Sequence, residues 1–256
     1  MAPSTFAAVL LAATAAAAAG LVGAFALMRR TLLAGDVMSH IAIPGLGLAV
    51  IWGVNPLIGG ALTLFAGILL IWKLGENSPL STEARIGVLF AVSVALGALL
   101  IHSSEDLINA LFGGFGHLSA ADFTFGMAAS LFVLAMLWRL RHALVLALFS
   151  ADLAEVSGVN VSRVNLWFLL LFGLAILSSL RYLGALLVGG LIIVPAATAR
   201  QLTQTLGAFL AASAALAAGA MLAGFALSAH YGLPLGPTVI VAAAAVFTAG
   251  LFVPAR

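Results

Sequence analysis

The chain of 256 residues contains no cysteine, and this absence excludes a whole class of chemistry. Without thiols it can form no disulfide, no thiolate metal site and no redox-active cysteine pair. Any metal ligands in this protein must therefore come from histidine, aspartate, glutamate or backbone oxygen.

Charge is the second scarce property. Charged residues make up 7% of the chain, and Lys73 is its single lysine. The sequence has no G-x-x-x-x-G-K-[ST] element, so it cannot hydrolyse ATP through a Walker motif, and no nucleophile and base constellation stands out. The ten basic residues are too few and too scattered to build a nucleic-acid-binding face. If ATP drives this protein, another polypeptide must hydrolyse it.

Apolar residues are what the chain has in abundance. They make up 64% of it, and the mean hydropathy is +1.25. A membrane-spanning helix needs about 20 mainly apolar residues, and almost the whole length consists of such runs. We therefore predict an all-α polytopic membrane protein with one transmembrane domain over residues 1–256. The first run lacks the basic start of a signal peptide, so it is interpreted as the first span.

Charges, prolines and glycine clusters divide the sequence into about nine candidate spans, or eight if one is re-entrant. The short linkers "GVNP" and "SLRYLG" predict tight hairpins between spans two and three and between spans six and seven. The candidate spans are 6–28, 35–52, 56–72, 84–101, 122–138, 163–180, 182–199, 206–228 and 236–253.

The basic residues predict the orientation, because cytoplasmic loops of membrane proteins carry an excess of Lys and Arg. With the amino terminus outside and the carboxyl terminus in the cytoplasm, Arg181 is the one basic residue outside. The cytoplasmic set is then Arg29, Arg30, Lys73, Arg85, Arg139, Arg141, Arg163, Arg200 and Arg256.

The stretch "GDVMSH" places two ionisable residues at the start of an apolar run. Asp36 and His40 are four residues apart, so in a helix both side chains project from one face. A carboxylate and an imidazole suit borderline divalent ions such as Zn²⁺ or Mn²⁺, and ionisable groups inside spans usually face the bundle interior. Alternatively, Asp36 caps a helix and His40 packs against a backbone carbonyl, and spacing does not separate these interpretations.

Proline and glycine follow this pair directly. Pro44 cannot donate the helical hydrogen bond that the His40 carbonyl would accept, so we expect that carbonyl to be freed. Gly45 and Gly47 come next, and together the three residues predict a kinked or loosened helix beside the polar pair.

The polar segment at 150–163 predicts a helix of one or two turns. Asp152 and Glu155 have the spacing of a capping box, and Gly158 can end the helix in a left-handed conformation. Leu153, Val156 and Val159 could form an apolar stripe for a partner's groove. An ordinary connecting loop is the alternative.

The remaining histidines indicate less. His102, His117, His142 and His230 are each expected to be surface or packing residues rather than ligands. The glycine-rich residues 111–119 fit either a re-entrant turn or a flexible outer loop.

Five stretches stand out together: "GDVMSHIAIPGLGLA", "EARIGVLFAVSVALGALLI", "DLINALFGGFGHLSAADF", "DLAEVSGV" and "VGGLIIVPAATAR". Taken together they resemble the membrane permeases of the zinc, manganese and iron ABC importers, and the resemblance runs from about residue 29 to 253. Many members of that family carry an acidic residue before the Leu-Pro turn of the eighth span, where this chain has Gly232. The resemblance therefore implies no carboxylate role at that turn here.

The resemblance implies a transporter subunit rather than an enzyme, in a prokaryotic cytoplasmic membrane. It implies a second permease subunit in a homodimer, two cytoplasmic ATPases that bind ATP and Mg, and an external metal-binding protein. No cofactor is permanently bound, and the divalent ion is the cargo. Asp36 and His40 become the metal contacts, and the coupling helix that docks on the ATPase comprises Asp152, Leu153, Ala154, Glu155, Val156 and Gly158.

Two other interpretations stay open. A proton- or sodium-coupled secondary transporter could use Asp36 and His40 as a proton relay. A structural or receptor-like membrane subunit would have no pathway of its own.

Overall fold

A computed structural model describes residues 5–77, 81–100 and 120–252 of the protein. This part of the chain forms helices and contains no strand, so the all-α prediction is confirmed. In chain order the helices are α1 (Thr5–Met28), α2 (Leu33–Ile41), α3 (Ile43–Ile51), α4 (Pro56–Asn77), α5 (Thr82–Leu100), α6 (Ala120–Phe149), α7 (Ala151–Val156), α8 (Val161–Leu202), α9 (Leu206–Tyr231) and α10 (Leu235–Leu251).

Apolar helices occupy all nine predicted stretches. Five are long and apolar enough to cross a membrane, namely Phe6–Met28, Pro56–Leu74, Ala120–Phe149, Val161–Leu180 and Leu206–Tyr231. Four are shorter, namely Val37–Ile51, Ala84–Leu100, Leu187–Leu202 and Leu235–Leu251. The number of crossings stays a prediction. His102, His117 and the glycine-rich segment 111–119 lie outside the described residues.

Helix α6 is longer than the sequence predicts. The predicted span stops at residue 138, before Arg139 and Arg141, but the helix continues to Phe149. Arginine is a good helix former, so a charge need not end a helix. The Arg141 guanidinium lies 4.4 Å from the ring centroid of Trp138, which gives the cation a favourable position on the helix surface.

The second predicted span is broken into α2 and α3. Helix α2 ends at Ile41, and Pro44 lies in the first turn of α3, where its missing N–H is tolerated. The expectation of a freed His40 carbonyl is wrong, because this oxygen accepts a hydrogen bond from the N–H of Ala42. The N–H of Ala42, two residues after His40, takes the place of the N–H that Pro44 lacks.

Helix α8 contains the predicted hairpin between the sixth and seventh spans. Its regular conformation is interrupted at Gly184, which has φ 71° and ψ 163°. Phe172 and Ile192 would be about 30 Å apart in a straight helix, yet both side chains approach the same point beside Gly35. The two halves of α8 therefore pack side by side.

The Gly184→Ala variant should destabilise this hairpin. The φ and ψ of Gly184 lie in a region that is essentially restricted to glycine, and occupying it with a side chain costs about 1–3 kcal/mol. We expect a lower thermal unfolding midpoint of the purified protein. Gly87→Ala is the control, because no described atom, apart from its chain neighbours and its own helix backbone, lies within 4 Å of the position that an alanine methyl group would take there. Equal midpoints for both variants would contradict the strain.

Helix α1 lies at the centre of the bundle, against α6, α8 and α9. Its small residues allow close approach, since a methyl group at Gly23 would overlap the backbone oxygen of Ile192. The buried Ser213 hydroxyl of α9 donates a 2.6 Å hydrogen bond to the Gly20 carbonyl. Small residues and interhelical hydrogen bonds thus replace the hydrophobic effect that a lipid environment does not provide.

Candidate functional site

The two predicted metal contacts, Asp36 and His40, both belong to α2. The side chain of Asp36 lies outside the described part of the structure. The His40 ring is half-buried and meets the Phe90 ring of α5 edge to face, with centroids 5.4 Å apart and planes at 79°. The Ser39 hydroxyl oxygen lies 3.4 Å from His40 Nδ1. His40 is therefore held between its own helix and α5.

The neighbours of α2 show that it lies level with the middle of the bundle. Phe90 is about 12 Å from the start of α5, a helix about 28 Å long. Ile41 packs against Gly67, near the middle of α4, and Gly35 packs against Phe172 in the first half of α8. The sequence left open whether this segment lies near the cytoplasmic end or midway. The tertiary contacts place it midway.

The break between α2 and α3 is fastened to α4. A methyl group at Gly45 would overlap the Gly59 carbonyl, and one at Gly59 would overlap the Gly45 carbonyl, so the two backbones touch. The Thr63 hydroxyl lies 3.4 Å from the Ala42 carbonyl oxygen, within donating distance of the break itself. Pro44 and Gly47 are buried beside this contact. Glycine at position 45 is thus required for close helix approach.

Among the side chains that the structure describes, which do not include those of Asp36, Glu76 and Glu83, no three from His, Asp or Glu come together as a metal-binding group. Two other histidines are exposed on other helices. His142 Nε2 lies 3.2 Å from the Arg141 Nε, and the His230 ring packs on Tyr231 with centroids 4.8 Å apart. These positions agree with the surface role predicted for both.

The segment predicted to dock on a partner forms a short helix, α7. Its amino-terminal cap is Ser150, whose hydroxyl accepts a hydrogen bond from the Leu153 N–H at 3.2 Å. The predicted capping box of Asp152 and Glu155 is therefore wrong by two residues. Gly158 adopts the predicted left-handed conformation, with φ 78°, and its N–H donates to the Glu155 carbonyl at 2.9 Å.

The apolar residues of α7 divide between the bundle and its surface. Ala154 is fully buried, whereas Leu153 is 60% and Val156 87% exposed. Val159, the third residue of the predicted stripe, packs against the core instead. Leu153 and Val156 therefore form an exposed apolar pair, which we call the α7 knob. Asp152 and Glu155 flank it and are also exposed.

Arg29 and Arg85 both line the same cavity. From the sequence alone, these two arginines predict only the membrane orientation. The cavity has a volume of about 470 Å³ and lies where the links and ends of α1, α4, α5, α6 and α8 meet. Arg29 is in the link between α1 and α2, and its Nη1 donates a 2.7 Å hydrogen bond to Asn165 Oδ1. Burial lowers the pKa of Arg29 to about 10, so it remains cationic at neutral pH. No local motif in the sequence marks this arrangement, because its residues are far apart along the chain.

A family model described as the ABC 3 transport family matches residues 1–254. The chain belongs to this family. The all-α permease fold inferred from the sequence resemblance is thereby confirmed, and the protein is a membrane transporter subunit rather than an enzyme. Family membership also makes it an integral protein of a prokaryotic inner membrane.

Individual relatives align with this chain over most of their length. The chain is 31% identical to the high-affinity zinc uptake system membrane protein ZnuB of Haemophilus influenzae, with 90% of each chain covered. It is 30% identical to the manganese transport system membrane protein MntC of Halalkalibacterium halodurans, covering 91% of this chain and 81% of that one. Its structure matches PsaBC from Streptococcus pneumoniae in complex with Fab with a TM-score of 0.83 and 27% identity, covering 96% of this chain and 90% of that one.

Proposed function

We propose that this family member is the permease of an ATP-driven importer of a divalent metal ion, zinc or manganese. Support comes from relatives that are named for zinc and for manganese transport. The observation that carries the proposal within the fold is the position of His40, on an interrupted helix level with the middle of the bundle. The relatives do not favour the proton- or sodium-coupled alternative.

Asp36 and His40 are proposed to form a transient site for the ion. Carboxylate oxygen and imidazole nitrogen are ligands that both Zn²⁺ and Mn²⁺ accept. The Ser39 hydroxyl beside His40 Nδ1 can orient the ring and favour binding through Nε2. In a homodimer, a second copy would supply a second Asp and His across the symmetry axis.

Transport requires that this site bind the ion differently in two states. Alternating access works only if the affinity falls when the site opens to the other side, since a ligand shifts a conformational equilibrium by its differential affinity alone. Because the four ligands would come from two chains, a relative movement of the chains can separate them and release the ion, which a rigid four-ligand cage would retain. The broken helix α2–α3 provides a place where the ligands can be moved without unfolding a continuous span.

The proposed partners lie on the two faces of the membrane. With the amino terminus outside, the α7 knob faces the cytoplasm, where two ATPase subunits hold ATP and Mg. An external metal-binding protein delivers the ion at the opposite face. Movement of α7 on the ATPase surface would be transmitted directly into α6 and α8, because α7 packs on both of these helices.

Val156→Asp should separate the permease from its ATPase. Val156 is the most exposed side chain of the α7 knob, and a carboxylate there would be buried without a partner in an apolar groove. We expect about tenfold or greater loss of ATPase affinity, as for a central interface residue, together with loss of metal uptake. Co-purification of the ATPase with tagged permease measures the effect.

Ser157→Asp is the matched control for this experiment. It introduces the same charge at the neighbouring exposed position, which is outside the α7 knob. This variant should retain the ATPase. Wild-type co-purification and uptake by Val156→Asp would show that α7 is not the docking helix.

The metal and the energy source can be tested in one uptake assay. A strain that lacks its own zinc and manganese importers would express the permease with its ATPase and binding protein, and the cell content of each metal would be measured by mass spectrometry. We expect accumulation of one of the two ions to depend on the catalytic residues of the ATPase. Uptake that continues with an inactive ATPase and collapses with a protonophore would instead support the secondary transporter.

A further inference from the structure

The cavity beside Arg29 combines two guanidinium groups with an apolar wall. Arg85 Nη1 donates a 2.9 Å hydrogen bond to the Ile71 carbonyl, and Trp72 Nε1 donates a 3.1 Å hydrogen bond to the Ser162 hydroxyl. The polar groups therefore gather on walls contributed by α4, α5 and the start of α8. The apolar lining comprises Ile71, Ile86, Ala147, Leu148, Leu169 and Phe172.

Arg29 is a mostly buried cation whose described hydrogen-bond and ring contacts are to uncharged groups. They are the amide oxygen of Asn165 at 2.7 Å and the ring of Phe168, whose centroid lies 4.4 Å from the guanidinium carbon. Within the described residues, no carboxylate forms an ion pair with this guanidinium. A buried charge without a counter-ion is costly, so an anion in the cavity would relieve the cost.

The chemistry of the walls identifies the kind of anion. Guanidinium groups bind phosphate through several parallel hydrogen bonds, and Arg29 and Arg85 both reach this cavity. The apolar wall offers a surface for hydrocarbon, which a free inorganic anion does not have. Basic pockets between membrane helices are typical sites for the head groups of anionic lipids.

We propose that the Arg29 cavity binds the phosphate group of an anionic phospholipid from the leaflet at this end of the bundle. The glycerol and the first acyl carbons lie against the apolar wall. Under the proposed orientation this is the cytoplasmic leaflet. The bound lipid would then contact the α1–α2 link, α4, α5 and α8 together.

Purified full-length permease in lipid nanodiscs provides the test. One set of discs contains phosphatidylcholine alone, and the other contains equal parts of phosphatidylcholine and phosphatidylglycerol. Native mass spectrometry measures retained lipid, and tryptophan fluorescence measures the unfolding midpoint. We expect the wild type to retain phosphatidylglycerol and to unfold at a higher temperature in its presence. Arg29→Gln should bind this lipid about tenfold more weakly, because one charged hydrogen-bonding group is lost.

Two further variants separate the site from general effects. Arg200→Gln removes an exposed arginine whose guanidinium lies over Phe209, away from the cavity, and should retain the lipid. Ala147→Phe fills the cavity while keeping both arginines, and should lose the lipid even if Arg29→Gln does not fold.

Three results would overturn the proposal. The first is equal lipid retention by the wild type and Ala147→Phe. The second is full stabilisation by inorganic phosphate in phosphatidylcholine discs, which would indicate a site for a soluble anion. The third is indifference to phosphatidylglycerol with stabilisation only on addition of the ATPase, which would assign the cavity to a carboxylate of that partner. None of these results depends on metal transport, so failure of the lipid site and failure of the proposed function are distinguishable.

Discussion

Replacing Asp36 and His40 together by alanine is expected to abolish metal uptake while leaving the permease assembled in the membrane. Changing groups that merely support a metal ligand costs 10–100-fold in metal affinity or activity as a rule, so loss of both ligands should reduce uptake by about 100-fold or more. Uptake of zinc and manganese in cells that lack their own importers measures the change. The amount of permease in the membrane fraction is measured in the same cells.

The matched control removes the same two residue types elsewhere. Asp122→Ala with His142→Ala changes an aspartate and a histidine of α6, a helix that does not carry the proposed site. This pair should leave uptake within about twofold of the wild type, because neither residue belongs to the proposed metal site; His142 is exposed and Asp122 is half-buried near the start of α6. Normal uptake by the Asp36 and His40 double variant, at normal membrane levels, would refute the transport site.

A single methyl group at Gly45 should have the largest effect of any glycine-to-alanine change beside the site. The added carbon would overlap the Gly59 carbonyl oxygen and the Thr63 hydroxyl, so the backbones of α3 and α4 would have to move apart. Overpacking of this kind costs about 1–3 kcal/mol, and backbone cannot rotate away as a side chain can. We expect less folded protein and an unfolding midpoint lowered by several degrees, measured by fluorescence-detected gel filtration after heating.

Gly219→Ala is the comparison for this variant. Gly219 is also inside a helix, α9, but an alanine methyl group there would have no described atom within 4 Å apart from its chain neighbours and its own helix backbone. Alanine at this position should be neutral or stabilising by up to about 1 kcal/mol, because glycine is a poor helix former. If Gly45→Ala were as stable as Gly219→Ala, α3 and α4 would not touch as closely as the structure shows.

These two predictions concern the two sides of the break between α2 and α3. His40 lies at the end of α2, and Gly45 lies in the first turns of α3, on opposite sides of the break at Ala42. The contact with α4 holds the α3 side of the break, whereas His40 meets α5 through Phe90. A relative movement of α4 and α5 would therefore change the position of the proposed ligand.

Much of the fold could be predicted from the sequence because prolines and glycines mark the ends and breaks of its apolar helices clearly. The apolar stretches and both hairpin linkers agree with the structure, since Pro56 starts α4 and Gly184 interrupts α8. The predicted span at 122–138 lies within the longer helix α6, which continues past Arg139 and Arg141. In a membrane protein a helix can leave the apolar region and continue, so charge marks the end of burial in lipid rather than the end of the helix.

The candidate coupling segment shows the limit of local rules. Ser150 and Asp152 are both good capping residues, and the sequence pattern favoured the second because Glu155 follows at the right spacing. The structure uses Ser150, because α6 ends at Phe149 and the new helix begins directly after the turn. The end of one helix therefore decided the start of the next.

Composition by itself determined that this protein is a helical membrane protein, the lack of a Walker motif predicted a separate ATPase, and residue spacing singled out Asp36 and His40 as a pair. These features are local, since hydropathy, helix period and turn residues act within a few turns of chain. Only the tertiary structure decided the depth of α2, through contacts with Phe90, Gly67 and Phe172. It also decided that Arg29 and Arg85 share a cavity. Such arrangements depend on how helices that are far apart in the sequence pack together, and no short sequence motif specifies that packing.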